Sequence, residues 1–255
     1  MSLLCLLKIE FIKQKRGFLW KIVFIIPLVA LCLFSTYLYI KYNSLISLNA
    51  LKQFEKFGAK TKLDILLFVN HQGSLWFMLS SLIFILAATQ INFMEHKENC
   101  WKSVLSLPLN RTKVYLSKWL VVFIFCSISI VLNSLGFVII LFIFKLGNFI
   151  NGTIIFKYII FQILCSLSII SFQQFISSYF KNLLVPLTIA FIGITNTFMF
   201  WQSNFLSNII PYMPTLRAIP LGDGKDAKTA VISSIISGIL WLTIGILEFK
   251  NKDIK

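Results

Sequence analysis

Apolar residues in this chain fall in long blocks, separated by shorter stretches where Lys, Arg, Asn and Pro collect. Six blocks stand out, at about Phe18–Ile40, Ser74–Met94, Trp119–Phe144, Ile154–Phe180, Leu183–Trp201 and Ala230–Leu247. A helix needs about 20 apolar residues to cross the hydrocarbon core of a bilayer, and each block comes close to that length. The pattern predicts an all-α integral membrane protein, a single domain over residues 1–255 with six transmembrane helices. Lys181 and Asn182 alone part the fourth block from the fifth, which predicts a tight helical hairpin with Pro186 in the opening turn of its second helix.

Ahead of the first block, residues 1–16 read MSLLCLLKIEFIKQKR. Leu3, Leu4, Leu7 and Phe11 recur at helical spacing, while Lys8, Lys13, Lys15 and Arg16 supply a polar side. This predicts a short amphipathic helix at the cytoplasmic interface, against the alternative of a plain basic leader. The apolar run from Phe18 is too long for a cleavable signal and lacks a small-residue cleavage site, so the first span is expected to remain. Two further stretches are long. Residues 42–73 join the first two spans. Residues 202–229 join the last two and hold NIIPYMPTLRAIP, where Pro211, Pro214 and Pro220 break a half-apolar run into pieces too short to span.

Composition agrees with the pattern. Of 255 residues, 58% are hydrophobic and 13% charged, where a soluble domain carries roughly 25% charged residues. The 24 Lys and Arg against 9 Asp and Glu lie between the apolar blocks, so they read as membrane-flanking charge that sets orientation and meets anionic headgroups; no nucleic-acid motif accompanies them. With the N-terminus inside, 14 of the 24 basic residues fall on the inner side and 10 on the outer. Lys13, Lys15, Arg16 and Lys21 crowd the start of the first span and only Lys41 follows it closely, which predicts both termini in the cytoplasm. The five Cys are scattered, with no CxxC pair and no His at metal spacing, so neither a disulfide nor a metal is expected.

Chemistry within the chain is scarce. There is no GxxxxGK[ST] loop to cradle nucleotide phosphates and no HExxH, and His71 and His96 are the two histidines. No catalytic residues, cofactor or metal ligands are predicted, and the chain does not read as an enzyme. Asn133, Gln162, Gln173, Gln174 and Asn196 lie inside apolar blocks. They are candidates for a substrate path, with hydrogen bonding between helices as the other reading. Carboxylates are missing from the middle of every block, which argues against a proton-coupled carrier and for an external source of energy.

The segment between the second and third spans, Glu95–Lys118, reads EHKENCWKSVLSLPLNRTKVYLSK. Glu95, Lys97, Glu98 and Lys102 end the second span; Trp101, Val104 and Leu105 give an apolar face at helical spacing; Pro108 stops that helix. Asn110, Arg111 and Lys113 then form a polar turn before the third span. Such a helix can fill a groove on a soluble partner, or rest on headgroups with Trp101 as anchor. With Asn99, Trp101, Lys102, Pro108, Asn110, Arg111, Lys113 and Tyr115 at these positions, the segment looks like the cytoplasmic loop of ABC-2-type permeases. It is especially similar to those of lantibiotic-immunity and related antimicrobial-peptide exporters. The ending from Phe249 to Ile254 resembles the F-x-x-K-D-I tail of that superfamily.

The resemblance implies that residues 95–113 hold a coupling helix seated in a separate ATPase subunit, two copies of which bind ATP and Mg. Trp101, Val104 and Leu105 would be its packed knob, Pro108 its end, and Glu95, Glu98, Lys102, Arg111 and Lys113 its polar brackets. It further implies a second permease, identical or homologous, in a bacterial plasma membrane. The expected function is the permease subunit of an ABC exporter that expels an antimicrobial or other amphipathic peptide. The alternatives are a drug, lipid or peptide-toxin cargo, or a non-transporting membrane scaffold or sensor.

Overall fold

The computed structural model describes residues 2–15, 17–97 and 110–251, and every regular element among them is helical. In chain order the helices are α1 (Leu3–Gln14), α2 (Phe18–Ile46), α3 (Leu48–Glu55), α4 (Lys62–Phe68, followed by a π turn, Val69–Gly73), α5 (Trp76–Lys97), α6 (Arg111–Ile143), α7 (Gly152–Tyr179), α8 (Leu184–Met199), α9 (Asn204–Ile209) and α10 (Lys225–Asn251). Five of them, α2, α5, α6, α7 and α10, are long and apolar enough to cross a membrane. They pack with α7 at the centre, against α10 on one side and α5 on the other, while α2 lies on α6. The end of this bundle that carries α1 is called the near end below, and the opposite end the far end.

The fifth predicted span comes out short. α8 has 16 residues, about 24 Å at 1.5 Å per residue, where the bilayer core is about 30 Å thick. The chain turns at 180–183, with Asn182 Oδ1 accepting from the Leu184 amide, and Pro186 sits in the first turn, where a missing N–H costs little. After Phe200 the chain folds back inward instead of extending α8. Tyr212 and Met213 are buried, and Gly193 of α8 makes room for this return: a Cβ there would lie 2.2 Å from the Tyr212 ring. The proline-broken segment is thus part of the core.

Three other boundaries differ from the sequence pattern. α6 begins at Arg111, eight residues before the predicted third span, because Asn110 caps it by accepting from the Thr112 and Lys113 amides. Arg111 and Lys113 therefore stand in the first turn of a 33-residue helix, not in a polar turn ahead of it. α2 continues past Ile40 through a kink at Lys41. Residues 42–73, expected as a polar connection, fold into α3, α4 and the π turn. Thr61 and Asp64 form a capping box that starts α4, and Leu63, Ile65, Leu66 and Leu67 enter an apolar cluster with Phe34, Leu38, Phe137 and Leu141 at the far end.

α1 also departs from a simple amphipathic helix. The stripe it buries, chiefly against α6, is Leu6, Glu10 and Gln14, whereas Leu4 and Ile12 are exposed. Polar side chains face inward because charged partners wait for them there. Contact between α7 and α10 is close: a Cβ on Gly238 would lie 3.1–3.2 Å from Leu167, and Ser234 Oγ donates to the carbonyls of Leu164 and Cys165. Small residues at a crossing are how membrane helices gain van der Waals contact without a hydrophobic drive.

Candidate functional site: a buried ion cluster and the polar layers above it

At the near end, side chains from α1, α5 and α6 meet in one cluster. Lys118 Nζ lies 2.8 Å from Glu95 Oε1 and 3.1 Å from Glu10 Oε2. Lys13 Nζ lies 2.6 Å from Glu95 Oε1 and 3.0 Å from Glu10 Oε1. Two ammonium groups and two carboxylates make the cluster neutral. Lys118 is 1% exposed, and Glu10 and Glu95 are buried with it. Charges that deep persist only when paired and hydrogen-bonded. Burial alone would push the Lys13 ammonium down; the carboxylates of Glu10 and Glu95 outweigh it and hold its pKa above the usual lysine value. Gln14 extends the set, its Nε2 3.6 Å from Met94 Sδ.

The cluster stands at the base of the two helices that lead into and out of residues 98–109. Of the predicted bracket residues, Glu95 is in it. Arg111 Nη1 donates to the Lys250 carbonyl at 2.8 Å, tying the start of α6 to the end of α10, and Lys113 is exposed. Tyr115 packs its ring 5.6 Å from that of Phe249 beside this tie. Glu98, Trp101, Lys102, Val104, Leu105 and Pro108 lie outside the described residues, as does the tail beyond Asn251.

The amide residues singled out in the sequence occupy buried layers at helix crossings. Gln174 on α7 exchanges hydrogen bonds with Asn92 on α5, and Asn92 Nδ2 also reaches Ser177 Oγ at 2.8 Å. One turn of the bundle higher, Gln173 joins four segments. Its Nε2 donates to Thr89 Oγ1 at 3.0 Å and to the Pro186 carbonyl at 3.1 Å, while its Oε1 accepts from Tyr212 Oη at 2.9 Å. Gln162 Oε1 accepts from the buried Trp76 Nε1 at 2.6 Å. Asn133 Oδ1 accepts from Asn70 Nδ2 at 3.3 Å. Asn196 is half-buried on α8, apart from the other four.

The highest layer contains His71, from the stretch 42–73 that joins the first two predicted spans. Its Nε2 lies 2.8 Å from the Thr215 carbonyl and its Nδ1 lies 3.0 Å from Tyr158 Oη. A carbonyl can only accept, so Nε2 carries the proton and Nδ1 accepts from the tyrosine hydroxyl. Both contacts are satisfied by a neutral ring. Burial pushes the His71 pKa from 6.5 down to about 4, with the Thr215 carbonyl opposing.

The sequence singles out four of these buried amides, and Glu95, but not their partners. Glu10, Lys13 and Lys118 had been counted as flanking charge. The available signal was weak: Glu10 stands among apolar residues of the leader, and Lys118 abuts the Trp119 block. Their proximity is a long-range fact, since Lys118 and Glu10 are 108 residues apart.

Comparison with protein-family models places the chain. The family model described as ABC-2 family transporter protein covers residues 6–196, about three quarters of the chain. No curated protein and no solved structure matches. The matched stretch runs from within α1 into α8 and contains the whole ion cluster and most of the polar layers, whose partners Tyr212 and Thr215 lie beyond it. On that extent of match the chain belongs to the ABC-2 transporter family: it is a multi-pass membrane permease, of a family that works with an ABC ATPase.

Proposed function

We propose that this permease is the membrane subunit of an ATP-driven exporter that expels an antimicrobial or other amphipathic peptide. A separate ATPase, present in two copies, binds ATP and Mg and drives it, and a second permease, identical or homologous, completes the complex. The membrane is a bacterial plasma membrane with both chain termini on the cytoplasmic side. α8 with the inward return at Tyr212 counts as the fifth of six crossings. The near end then faces the ATPase. The coupling helix lies within residues 95–113, with Trp101, Val104 and Leu105 as the knob and Glu98, Lys102, Pro108, Arg111 and Lys113 around it.

The observation that carries this reading is the neutral cluster of Lys13, Glu10, Glu95 and Lys118. It clamps both feet of the 98–109 segment to each other and to α1, which is what a loop receiving a push needs if the push is to reach the spans. The exposed apolar faces of α8 (Phe191, Ile192, Phe198, Met199) and α10 (Ile232, Ile236, Ile239) support the peptide reading, in which the cargo approaches from the bilayer. Gln162, Gln173, Gln174 and Asn133 hold the helices between which such a path opens, and half-buried Asn196 is the member of the set nearest the lipid.

The test is co-purification. Tagged chain from gently solubilised membranes is expected to bring down an ATPase, and Trp101→Glu to abolish that association together with peptide resistance. A chain that brings down no ATPase, with Trp101→Glu leaving assembly and resistance unchanged, sinks the proposal.

A further inference from the structure

The far end holds a cavity of about 650 Å³, well inside the size range of small-ligand sites. Its walls come from four segments: the α3–α4 connection at Glu55–Lys60, the end of α4 and its π turn at Phe68 and Gln72, the return of chain at Trp201 and Leu216–Arg217, and the turn Leu221–Gly224 with the first turn of α10. Phe57, Phe68 and Trp201 give it an aromatic side. Arg217 lines it from the other side and holds its place by donating Nη2 to the Trp201 carbonyl at 2.9 Å. Two glycine turns close the cavity. Gly58 and Gly222 both have positive φ, and a Cβ on Gly222 would lie 2.5 Å from the Gly58 carbonyl oxygen, so the turns touch only because Gly222 carries no side chain. Lys60 Nζ is bonded to the Asp223 carboxylate across this contact.

Charge distinguishes the possible ligands. Within the walls, the carboxylate of Asp223 is taken by Lys60, and that of Asp226 lies close enough to Arg217 to act on it electrostatically. Glu55, Lys56 and Lys225 remain, leaving the lining one positive charge in excess. Around it the imbalance is larger. The far-end segments 41–73, 145–157 and 202–229 carry ten Lys and Arg against four Asp and Glu. Such a field draws anions and repels cations at the mouth of the cavity. A half-buried guanidinium with several donors suits a phosphate, which it can grip with two parallel N–H groups. The aromatic wall suits an apolar chain, and it lies at the far end of the spans, beside the start of α10.

We infer that this cavity is a binding site for a phospholipid with an acidic headgroup, its phosphate on Arg217 with Lys56 and Lys225 near, and its glycerol and first methylenes on Phe57, Phe68 and Trp201. The site is separate from the coupling end and does not depend on which cargo the permease carries.

The full chain purified in an uncharged maltoside detergent, with whatever subunits accompany it, is titrated with dihexanoyl phosphatidylglycerol, and bound copies are counted by native mass spectrometry. Dihexanoyl phosphatidylcholine, glycerol 3-phosphate and a lysine-rich amphipathic peptide serve as comparison probes. Phosphatidylglycerol is expected to bind at least tenfold more tightly than any of the three, and Arg217→Gln to weaken it by about tenfold or more. Lys56→Gln with Lys225→Gln, at exposed positions that leave the fold intact, is expected to weaken it severalfold. Glycerol 3-phosphate binding as well as the lipid would make this a free-anion site and overturn the inference. So would equal binding of phosphatidylcholine, preferential binding of the peptide, or phosphatidylglycerol affinity unchanged in both the Arg217 variant and the double-lysine variant.

Discussion

Replacing Lys118 with Met tests the near-end cluster most directly. Met keeps the apolar stem and removes the ammonium, so packing around α6 changes little. The electrostatic change is large. Lys118 bonds both carboxylates, at 2.8 Å to Glu95 and 3.1 Å to Glu10, in a site where it is 1% exposed. Without it two buried carboxylates share Lys13 alone, and the cluster goes from neutral to one net negative charge. Breaking a buried pair by removing one partner typically costs about 3–5 kcal/mol, since the remaining charge is stranded. Lys13, whose side chain is 36% exposed, cannot compensate alone; its own removal is expected to cost less than that of Lys118, because water reaches its side of the cluster. The assay is thermal or denaturant unfolding of the solubilised chain, followed by retention of native fluorescence and resistance to protease. Lys118→Met should lose roughly 3–5 kcal/mol, and adding Glu95→Gln should recover at least about half, because Glu10 with Lys13 is again a neutral pair. If Lys118→Met costs less than about 1 kcal/mol, or if Glu95→Gln on top of it deepens the loss, the cluster is not the clamp described here.

Three further outcomes follow from the polar layers. The folded pKa of His71 is about 4 and its unfolded value 6.5, so below pH 6.5 the unfolded chain binds the proton more readily. Stability from this residue is therefore complete above pH 6.5 and is lost as pH falls towards 4, by roughly 3 kcal/mol over that window; His71→Gln should flatten the slope of melting temperature against pH, and an unchanged slope would refute the assignment. Gly193→Ala places a Cβ 2.2 Å from the Tyr212 ring, which must move and pull its hydroxyl from Gln173. The expected loss is about 1–3 kcal/mol, read from unfolding, and Tyr212→Phe should remove about 1 kcal/mol through the hydrogen bond alone.

Where apolar blocks governed the structure, the sequence was legible. A bilayer leaves a helix as the one form in which a lone segment satisfies its own backbone, so α2, α5, α6, α7 and α10 follow the hydropathy closely. Ends were harder, because a helix runs past the bilayer wherever a cap allows it, as Asn110 does for α6. Leu184–Met199 stopped short because its successor finds better contacts inside the bundle, and that depends on Gly193 meeting Tyr212. The buried face of α1 was read only in part: Leu7 and Phe11 pack on the core as expected, but the polar residues beside them do too. Glu10 and Gln14 look outward-facing by polarity, and only Lys118, more than a hundred residues away, makes an inward Glu10 stable. The amide residues were visible as polar letters in apolar text, but which helices they join is set by packing. Of the predicted coupling interface, the described residues are Glu95, Arg111 and Lys113, each now placed at a helix end.

Gln173 has a consequence for any motion of the bundle. One amide holds α5 through Thr89, α8 through Pro186 and the returning chain through Tyr212. Its two N–H groups and one oxygen are thereby committed in three directions at once. A tilt of α8 away from α5 must break the bond to Pro186 or to Thr89, and whichever remains decides whether Tyr212 follows. A displacement begun at α8 therefore reaches the proline-broken segment through this same amide. By reciprocity, whatever displaces Tyr212 from the far side must change the free energy of tilting α8 by the same amount.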